Sequence, residues 1–226
     1  VNLRGVCFSD LNTGIAVGEF GTMIKTTNGG TNWTALTSGT SVTLYSICFV
    51  NAAIGTVVGD NGTVLRTTNG GTNWIDQSGE TFSALFSVSF VDANTGTAVG
   101  NSDIIIRTTN GGTNWSTQMS GTQNIFRCVK FTDANTGTIV GDQGVILRTT
   151  NGGSNWEFKP SGTANNLAGV FFTDANTGTA VGSGGTILRT TSGGQITGIT
   201  QTSSISPEKF RLSQNYPNPF NPATRI

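Results

Sequence analysis

The chain has 226 residues, with 12 basic side chains balanced by 12 acidic ones, no histidine and only 11 % charged residues. That balance excludes the basic footprint of a nucleic-acid binder and a basic membrane-surface helix, and the lack of histidine removes the commonest general base and metal ligand. No apolar run approaches the length of a membrane span, so no membrane insertion is expected; 32 glycines favour short strands and tight turns over long helices.

Trp33, Trp74, Trp115 and Trp156 stand 41 residues apart, each closing a Thr-Thr-Asn-Gly-Gly-(Thr/Ser)-Asn-Trp run. A fixed period of this size marks a repeat architecture. Residues present in every copy therefore belong to the fold before they belong to any active site. In the second unit, residues 44–50 are rich in aromatic and β-branched side chains and read as a strand. Residues 51–54 form a turn, matched in later units by Asp92-Ala-Asn-Thr, Asp133-Ala-Asn-Thr and Asp174-Ala-Asn-Thr. Asp and Asn suit such turns because their side chains bond nearby backbone groups. Residues 55–59 make a second strand, bounded by glycines so that it packs closely. A hairpin turn of the Asn-Gly kind follows at 60–62, then a third strand at 63–68, a turn at 69–71 and a fourth strand at 72–77, beginning near Trp74.

Four short antiparallel strands per unit, in five units, predict an all-β chain: a β-propeller of about five four-stranded blades over residues 1–200, either a closed five-bladed ring or an arc of a larger one. A solenoid of stacked hairpins competes, but its usual coil is shorter than 41 residues. The last unit departs from the others, with Ser192 for the turn Asn and Thr197 for the Trp. Terminal repeats are often atypical; its fourth strand is expected at 195–200 or from elsewhere in the chain. No charged-then-apolar leader opens the sequence, which reads as a fragment or mature form. Cys7 and Cys48 occupy one place in adjacent units, too far apart to bridge. Cys128 is taken to be offset by one position and so to point to the other face of its strand. All three are expected as free thiols.

The Thr-x-Asn-x-Gly-x-x-Trp run resembles the Asp-box, or bacterial neuraminidase repeat, with Asn in the usual Asp position. Its residues here are Asn28, Gly30 and Trp33, Asn69, Gly71 and Trp74, Asn110, Gly112 and Trp115, and Asn151, Gly153 and Trp156. The resemblance implies a structural staple: Asn accepts turn amides, Gly permits positive φ and Trp covers the turn. The wider unit, best seen over residues 131–156, resembles the repeat of photosystem II assembly-factor-like propellers, which implies the fold more than any one function.

Beyond a polar linker at 201–206, residues 207–226 carry the run Gln214-Asn215-Tyr216-Pro217-Asn218-Pro219-Phe220-Asn221-Pro222. This resembles the opening of the C-terminal type IX secretion sorting domain of Bacteroidetes-related bacteria, cut short at Ile226. The resemblance implies export through the periplasm to the outer surface or medium, with the type IX machinery as a partner.

A sialidase-like site would need an arginine cluster, a Tyr nucleophile and a carboxylate. The chain has two tyrosines, Tyr45 and Tyr216. A carboxylate pair could be drawn from Asp60, Asp76, Glu80, Asp103, Asp142 or Glu157, but no spacing selects two of them. No phosphate-binding loop, metal-ligand spacing or nucleophile elbow is present, so no catalytic residue, metal or cofactor is assigned. Lys25, Arg66, Arg107, Arg148 and Arg189 recur at one position of the third strand. They form either a positive ring for an anionic or acidic partner or a set of ties to nearby acids such as Glu19, Asp60, Asp142, Asp92, Asp133 and Asp174. Residues that break the repeat (Phe82, Phe86, Asp103, Phe126, Arg127, Lys130, Phe158 and Lys159) are candidates for a specific face, Phe126 and Arg127 first among them. The sequence thus points to a non-catalytic, secreted or cell-surface propeller, monomeric, that binds a protein or glycan. The alternative is an extracellular glycoside hydrolase or sialidase-like module.

Overall fold

The computed structural model describes residues 1–194 and the strand at 200–203. Blade 1 holds β1 (Leu3–Phe8), β2 (Gly14–Gly18), β3 (Met23–Thr26) and β4 (Thr34–Leu36). Blade 2 holds β5 (Leu44–Phe49), β6 (Gly55–Gly59), β7 (Val64–Thr67) and β8 (Ile75–Asp76). Blade 3 holds β9 (Leu85–Phe90), β10 (Gly96–Gly100), β11 (Ile105–Thr108) and β12 (Ser116–Thr117). Blade 4 holds β13 (Phe126–Phe131), β14 (Gly137–Gly141), β15 (Ile146–Thr149) and β16 (Glu157–Phe158). Blade 5 holds β17 (Leu167–Phe172), β18 (Gly178–Gly182), β19 (Ile187–Thr190) and β20 (Thr200–Ser203). Each blade is a separate four-stranded antiparallel meander. The first strands of successive blades touch one another, so they line the inner edge and the short fourth strands lie outside.

The fourth strands are shorter than the sequence suggests: β8 spans Ile75–Asp76 where 72–77 was expected. The reason lies in the preceding turn, which holds the chain up to residue 73. The Asn69 Oδ1 accepts the Thr67 hydroxyl at 3.0 Å and the Asn73 amide at 3.0 Å, while the Thr67 Oγ1 accepts the Gly71 amide at 2.9 Å. The same bonds recur around Asn28, Asn110 and Asn151. Each Trp then stands edge-on to the Phe that ends the first strand of its own blade, at 5.9–6.3 Å between Phe8 and Trp33, Phe49 and Trp74, Phe90 and Trp115, and Phe131 and Trp156. The hairpin at 60–63 is a type I′ turn, with Asn61 at φ 57° and Gly62 at φ 68° and the Thr63 amide returning to the Asp60 carbonyl at 3.0 Å. The last blade finds its fourth strand at Thr200–Ser203, paired to β19.

The core lies between blades, not within them. Val58 and Val64 of blade 2 pack on Leu85, Val88, Phe90, Ala98 and Ile106 of blade 3. The equivalent sets join blades 1 and 2, 3 and 4, and 4 and 5. This satisfies sheets that have two apolar faces and no helices to cover them. The outer faces of blades 1 and 5 are uncovered: Leu3 is 50 % and Val6 59 % exposed, where their equivalents Leu44 and Ile47 are 0 % and 7 %. The five blades therefore form an open arc, the second of the two arrangements expected from the repeat.

Cys7, Cys48 and Cys128 are free thiols. Strand pairing corrects the expected facing of Cys128: it stands opposite Val140 as Ser46 stands opposite Val58, two residues from the Cys48 position and on the same face.

Candidate functional site

In each first strand the ladder slips by one residue, and the slipped residue is Arg4, Tyr45, Phe86, Arg127 or Ala168. A bulge leaves its extra residue out of the pairing and re-aims the side chain. The fold does not dictate what stands there: the five positions hold two arginines, a tyrosine, a phenylalanine and an alanine, while their neighbours repeat more closely. Because the first strands lie side by side, the bulge residues form a row along the inner edge. The Tyr45 and Phe86 rings meet edge to face, 5.1 Å between centroids. The Arg127 guanidinium lies over the Phe86 ring at 5.3 Å.

Beside each bulge stands the first residue of the β2–β3-type hairpin, whose backbone amide is held by the connection entering the same blade, as Asp60 N to Thr43 O at 2.9 Å and Asp142 N to Ile125 O at 2.9 Å. In three blades this residue is acidic. Glu19 takes Arg4 at 2.5 Å, and Asp142 takes Arg127 through Nε and Nη2, both at 2.8 Å. The Asn2 side chain and then Arg4 hold the Glu19 carboxyl below its usual range. The Asp142 carboxylate raises the Arg127 guanidinium pKa. Burial, and then the Asp60 carboxylate beside it, raises the Tyr45 phenol pKa. Carboxylates thus orient Arg4, Tyr45 and Arg127, of which Tyr45 and Arg127 face the Phe86 ring. Such a surface can stack on aromatic or planar groups and exchange its ion pairs for those of a ligand.

Blade 3 departs at the same end. Its hairpin places Ser102 at φ 53° and Asp103 at φ 55°, two non-glycine residues in the left-handed region. Gly62, the equivalent of Asp103, has no room for a Cβ, which would lie 1.8 Å from the Thr81 carbonyl oxygen. At Asp103 the turn sits differently, and Ser120 donates to its carboxylate at 3.4 Å. Strain of this kind gathers at functional sites. Phe20, Phe82 and Met119 project from connections at this end and are among the most exposed apolar side chains.

The recurrent cations do not belong to this surface. Arg66 and Arg148 are buried. Each arginine crosses to the next blade: Arg66 to the Ala93 carbonyl, Arg107 to Ala134 and Arg148 to Ala175, with second bonds to Thr56, Thr97 and Thr138 of their own blades. Lys25 reaches the Gly70 carbonyl at 2.8 Å. They are ties between blades, and their acceptors are carbonyls where acidic side chains were expected. Arg189, on the last blade, is exposed. Phe126 is fully buried at the position of Leu44 and Leu85 and offers nothing to a ligand. Arg127 joins the row. Of the other non-repeating residues, Phe86 joins it too; Lys130 lies over Phe171 at 5.7 Å, and Lys159 pairs with Glu157 at 3.0 Å on the outer edge beside exposed Phe158. The residues Gln214–Pro222 lie outside the described residues.

Each of the six candidate carboxylates has a neighbour of its own. Asp76 accepts from Ser78, Glu80 from Thr117, Asp103 from Ser120, Asp142 from Arg127 and Glu157 from Lys159, and Asp60 adjoins Tyr45. Among the described residues no hydrogen bond joins two of them, and no group of three or more Cys, Asp or Glu is placed to hold a metal ion. Sequence reasoning missed Arg4, and took Glu19 only as a tie for a recurrent cation where its partner is Arg4. The signal was present, since Arg4, Tyr45, Phe86 and Arg127 share the 41-residue spacing, but their chemistry differs and so does not announce a series.

The profile of the photosynthesis system II assembly factor YCF48 family matches residues 31–120. Over that stretch the repeats are similar to those of photosystem II assembly factors. Among solved structures, YCF48 bound to a D1 peptide is 19 % identical, with 88 % of this chain and 82 % of that one covered at a TM-score of 0.50. An ancestral GH74 enzyme is 20 % identical over 88 % of this chain, at a TM-score of 0.70, but this chain spans only 31 % of it. The WD40 β-propeller domain of Doa1 is 15 % identical, covering 83 % of this chain and 64 % of that domain at a TM-score of 0.66. At these identities the likeness is one of fold: the chain is a β-propeller. A comparison with curated proteins finds no match.

Proposed function

We propose that this YCF48-like propeller is a non-catalytic binding module, exported to the cell surface or medium, that recognises a protein ligand on the inner row of Arg4, Tyr45, Phe86 and Arg127. The observation that carries this reading is the row itself: four blades contribute two arginines, a tyrosine and a phenylalanine, each specifically oriented, at the one bulge position the fold leaves open. Aromatic and arginine side chains supply most of the energy of protein recognition. The similar YCF48 structure holds a D1 peptide, which supports a peptide as the ligand class. The export reading rests on the run Gln214–Pro222, which resembles a type IX sorting signal, and names that secretion machinery as a transient partner.

The test is selection of peptides from a displayed random library on the purified chain, beside Phe86→Ala and Arg127→Ala variants and a glycan array. Peptides enriched by the native chain and lost by both variants support the reading. Glycan binding accompanied by cleavage would replace it with the hydrolase alternative. Enrichment that survives both substitutions would move the site away from the row.

A further inference from the structure

The sequence holds five Asn-Gly pairs, beginning at Asn28, Asn61, Asn69, Asn110 and Asn151. The pair is prone to cyclise on itself, because glycine has no side chain to shield its backbone nitrogen and lets the chain bend freely. All five asparagines are exposed, so access to solvent does not distinguish them.

They differ in what holds them. In the four boxes the Asn Oδ1 accepts a Thr hydroxyl and a backbone amide, all at 2.9–3.0 Å. The carbonyl oxygen of the same Asn accepts the hydroxyl of Thr31, Thr72, Thr113 or Ser154 at 3.0–3.1 Å. The Gly N–H, the group that would attack, donates to the carbonyl of Asn12, Ala53, Asn94 or Asn135 at 2.8–2.9 Å. Asn61 and Gly62 have none of these bonds. Asn61 stands at the tip of the type I′ hairpin between β6 and β7, at φ 57° and ψ 30°. Among the described residues neither its carboxamide nor the Gly62 N–H has a hydrogen-bond partner. In blades 1 and 3 the corresponding nitrogen is held, Gly21 N–H by the Val42 carbonyl at 2.7 Å and Asp103 N–H by the Asn124 carbonyl at 3.0 Å. The bond that closes the blade 2 tip runs from the Thr63 N–H to the Asp60 carbonyl at 3.0 Å.

We propose that Asn61 is a site of self-modification, where the folded chain converts asparagine to aspartate or isoaspartate while the four box asparagines stay intact. The Gly62 nitrogen bonds to the Asn61 Cγ, the Cγ–Nδ2 bond breaks, and Nδ2 leaves as ammonia with the proton from Gly62. Water then opens the five-membered imide. Attack at Cγ gives aspartate; attack at the main-chain carbonyl carbon gives isoaspartate. Ring closure needs Asn61 to rotate about ψ, which at an exposed tip costs the Thr63 bond; in a box the same rotation breaks the Oδ1, carbonyl and Gly bonds together. Either product sets a new carboxylate next to Asp60, which adjoins Tyr45, and so adds negative charge at that end of the inner row. Isoaspartate also lengthens the turn by one backbone carbon, which a two-residue type I′ loop does not accommodate. The chemistry is independent of what the inner row binds.

The test ages the purified whole chain in mildly alkaline buffer, folded and in denaturant, then digests it in acid and maps the peptides by mass. Asn61→Gln is the control: Gln143 stands at the same tip in blade 4 at φ 57°, so the fold accepts the residue. Circular dichroism checks that the folded samples stay folded. In denaturant all five pairs are expected to convert at comparable rates. In the folded chain Asn61 is expected to convert about tenfold or more faster than any box asparagine. Native ion exchange is expected to show a more acidic species that Asn61→Gln does not form. Box asparagines that convert as fast as Asn61 in the folded chain overturn the proposal, as does an Asn61 that persists as long as they do. So does an acidic species that Asn61→Gln forms equally. The same spread of rates in denaturant overturns it too, because neighbouring sequence and not the fold would then set the order.

Discussion

Arg66, on the third strand of one blade, lies 4.7 Å over the ring of Phe90, on the first strand of the next. The contact joins two strands that share no ladder, and it is completed by hydrogen bonds to Thr56 on its own blade and to the Ala93 carbonyl across the interface. Repetition of the pair at Arg107 and Phe131 and at Arg148 and Phe172 makes it the polar counterpart of the valine clusters. It explains what the row of recurrent cations does in a chain of zero net charge.

Removing that tie is expected to be costly. Arg66 is 5 % exposed, so Arg66→Ala leaves a cavity against Phe90 and strips the Ala93 carbonyl of its donor. A loss of about 2–4 kcal/mol is expected in chemical denaturation. Arg66→Lys keeps the charge but cannot reach both oxygens from a planar fork, and should recover less than half of that loss. Equal stability of Arg66→Ala and the native chain would show that the tie contributes nothing.

Much of this was legible beforehand. The 41-residue period, the glycine-bounded second strands and the Asn-Gly hairpin gave blades, strand order and turn type, because those features depend on local chemistry repeated many times. The Arg partners were not legible. A backbone carbonyl has no residue identity, so the sequence displays only the acidic side chains as acceptors. Phe126 illustrates the converse error: it differs from the Leu at its equivalents in name only, since both fill the same buried position. The inner row was half visible. Arg127 and Phe86 stood out as exceptions, yet only the ladder slip shows that the position they share with Arg4 and Tyr45 is the one released from pairing.

The acidic turns predict a pH response. The Asn94 and then the Thr95 backbone amides donate to the Asp92 carboxylate at 2.6 and 2.7 Å and hold its pKa below the usual value. Asp10 and Asp174 are held down in the same way. A carboxyl whose folded pKa is depressed contributes its stability above the unfolded pKa, about 3.9, and loses it as pH falls through the folded value. Blade 2 carries the control, since Asn51 receives the Ala53 and Ile54 amides at 2.9 Å without a charge. Asp92→Asn should therefore leave stability near pH 7 almost unchanged and flatten the acid limb of the stability curve below about pH 4. An unchanged acid limb would count against it.

The strained hairpin of blade 3 predicts a gain. Asp103 at φ 55° occupies the place that Gly62 and Gly144 fill in neighbouring blades. Asp103→Gly removes the left-handed penalty, offset in part by loss of the long Ser120 bond, and should stabilise the fold by about 0.5–1 kcal/mol. Thermal unfolding should move up by a few degrees at most. If the strain serves the inner row, the same variant binds selected peptides more weakly despite its stability. A destabilised variant would mean that the Ser120 contact outweighs the backbone.

Tyr45 offers a direct reading of the row without any ligand. Burial and then the neighbouring Asp60 carboxylate raise its phenol pKa above 10.0. The proton is therefore held more tightly in the folded chain. Its stabilising effect is full below the ordinary phenol value and is lost as pH rises through the folded one. The chain has only one other tyrosine, Tyr216, so a Tyr216→Phe background isolates the signal. Ultraviolet difference titration in that background should show one phenol ionising late. Asp60→Asn should bring the midpoint down by removing the carboxylate while leaving burial in place. Phe86→Ala should bring it down as well, by opening the face on which the Tyr45 ring rests at 5.1 Å. A midpoint at the ordinary value, unmoved by either substitution, would mean that Tyr45 stands in open solvent and that the row is not the ordered surface described above.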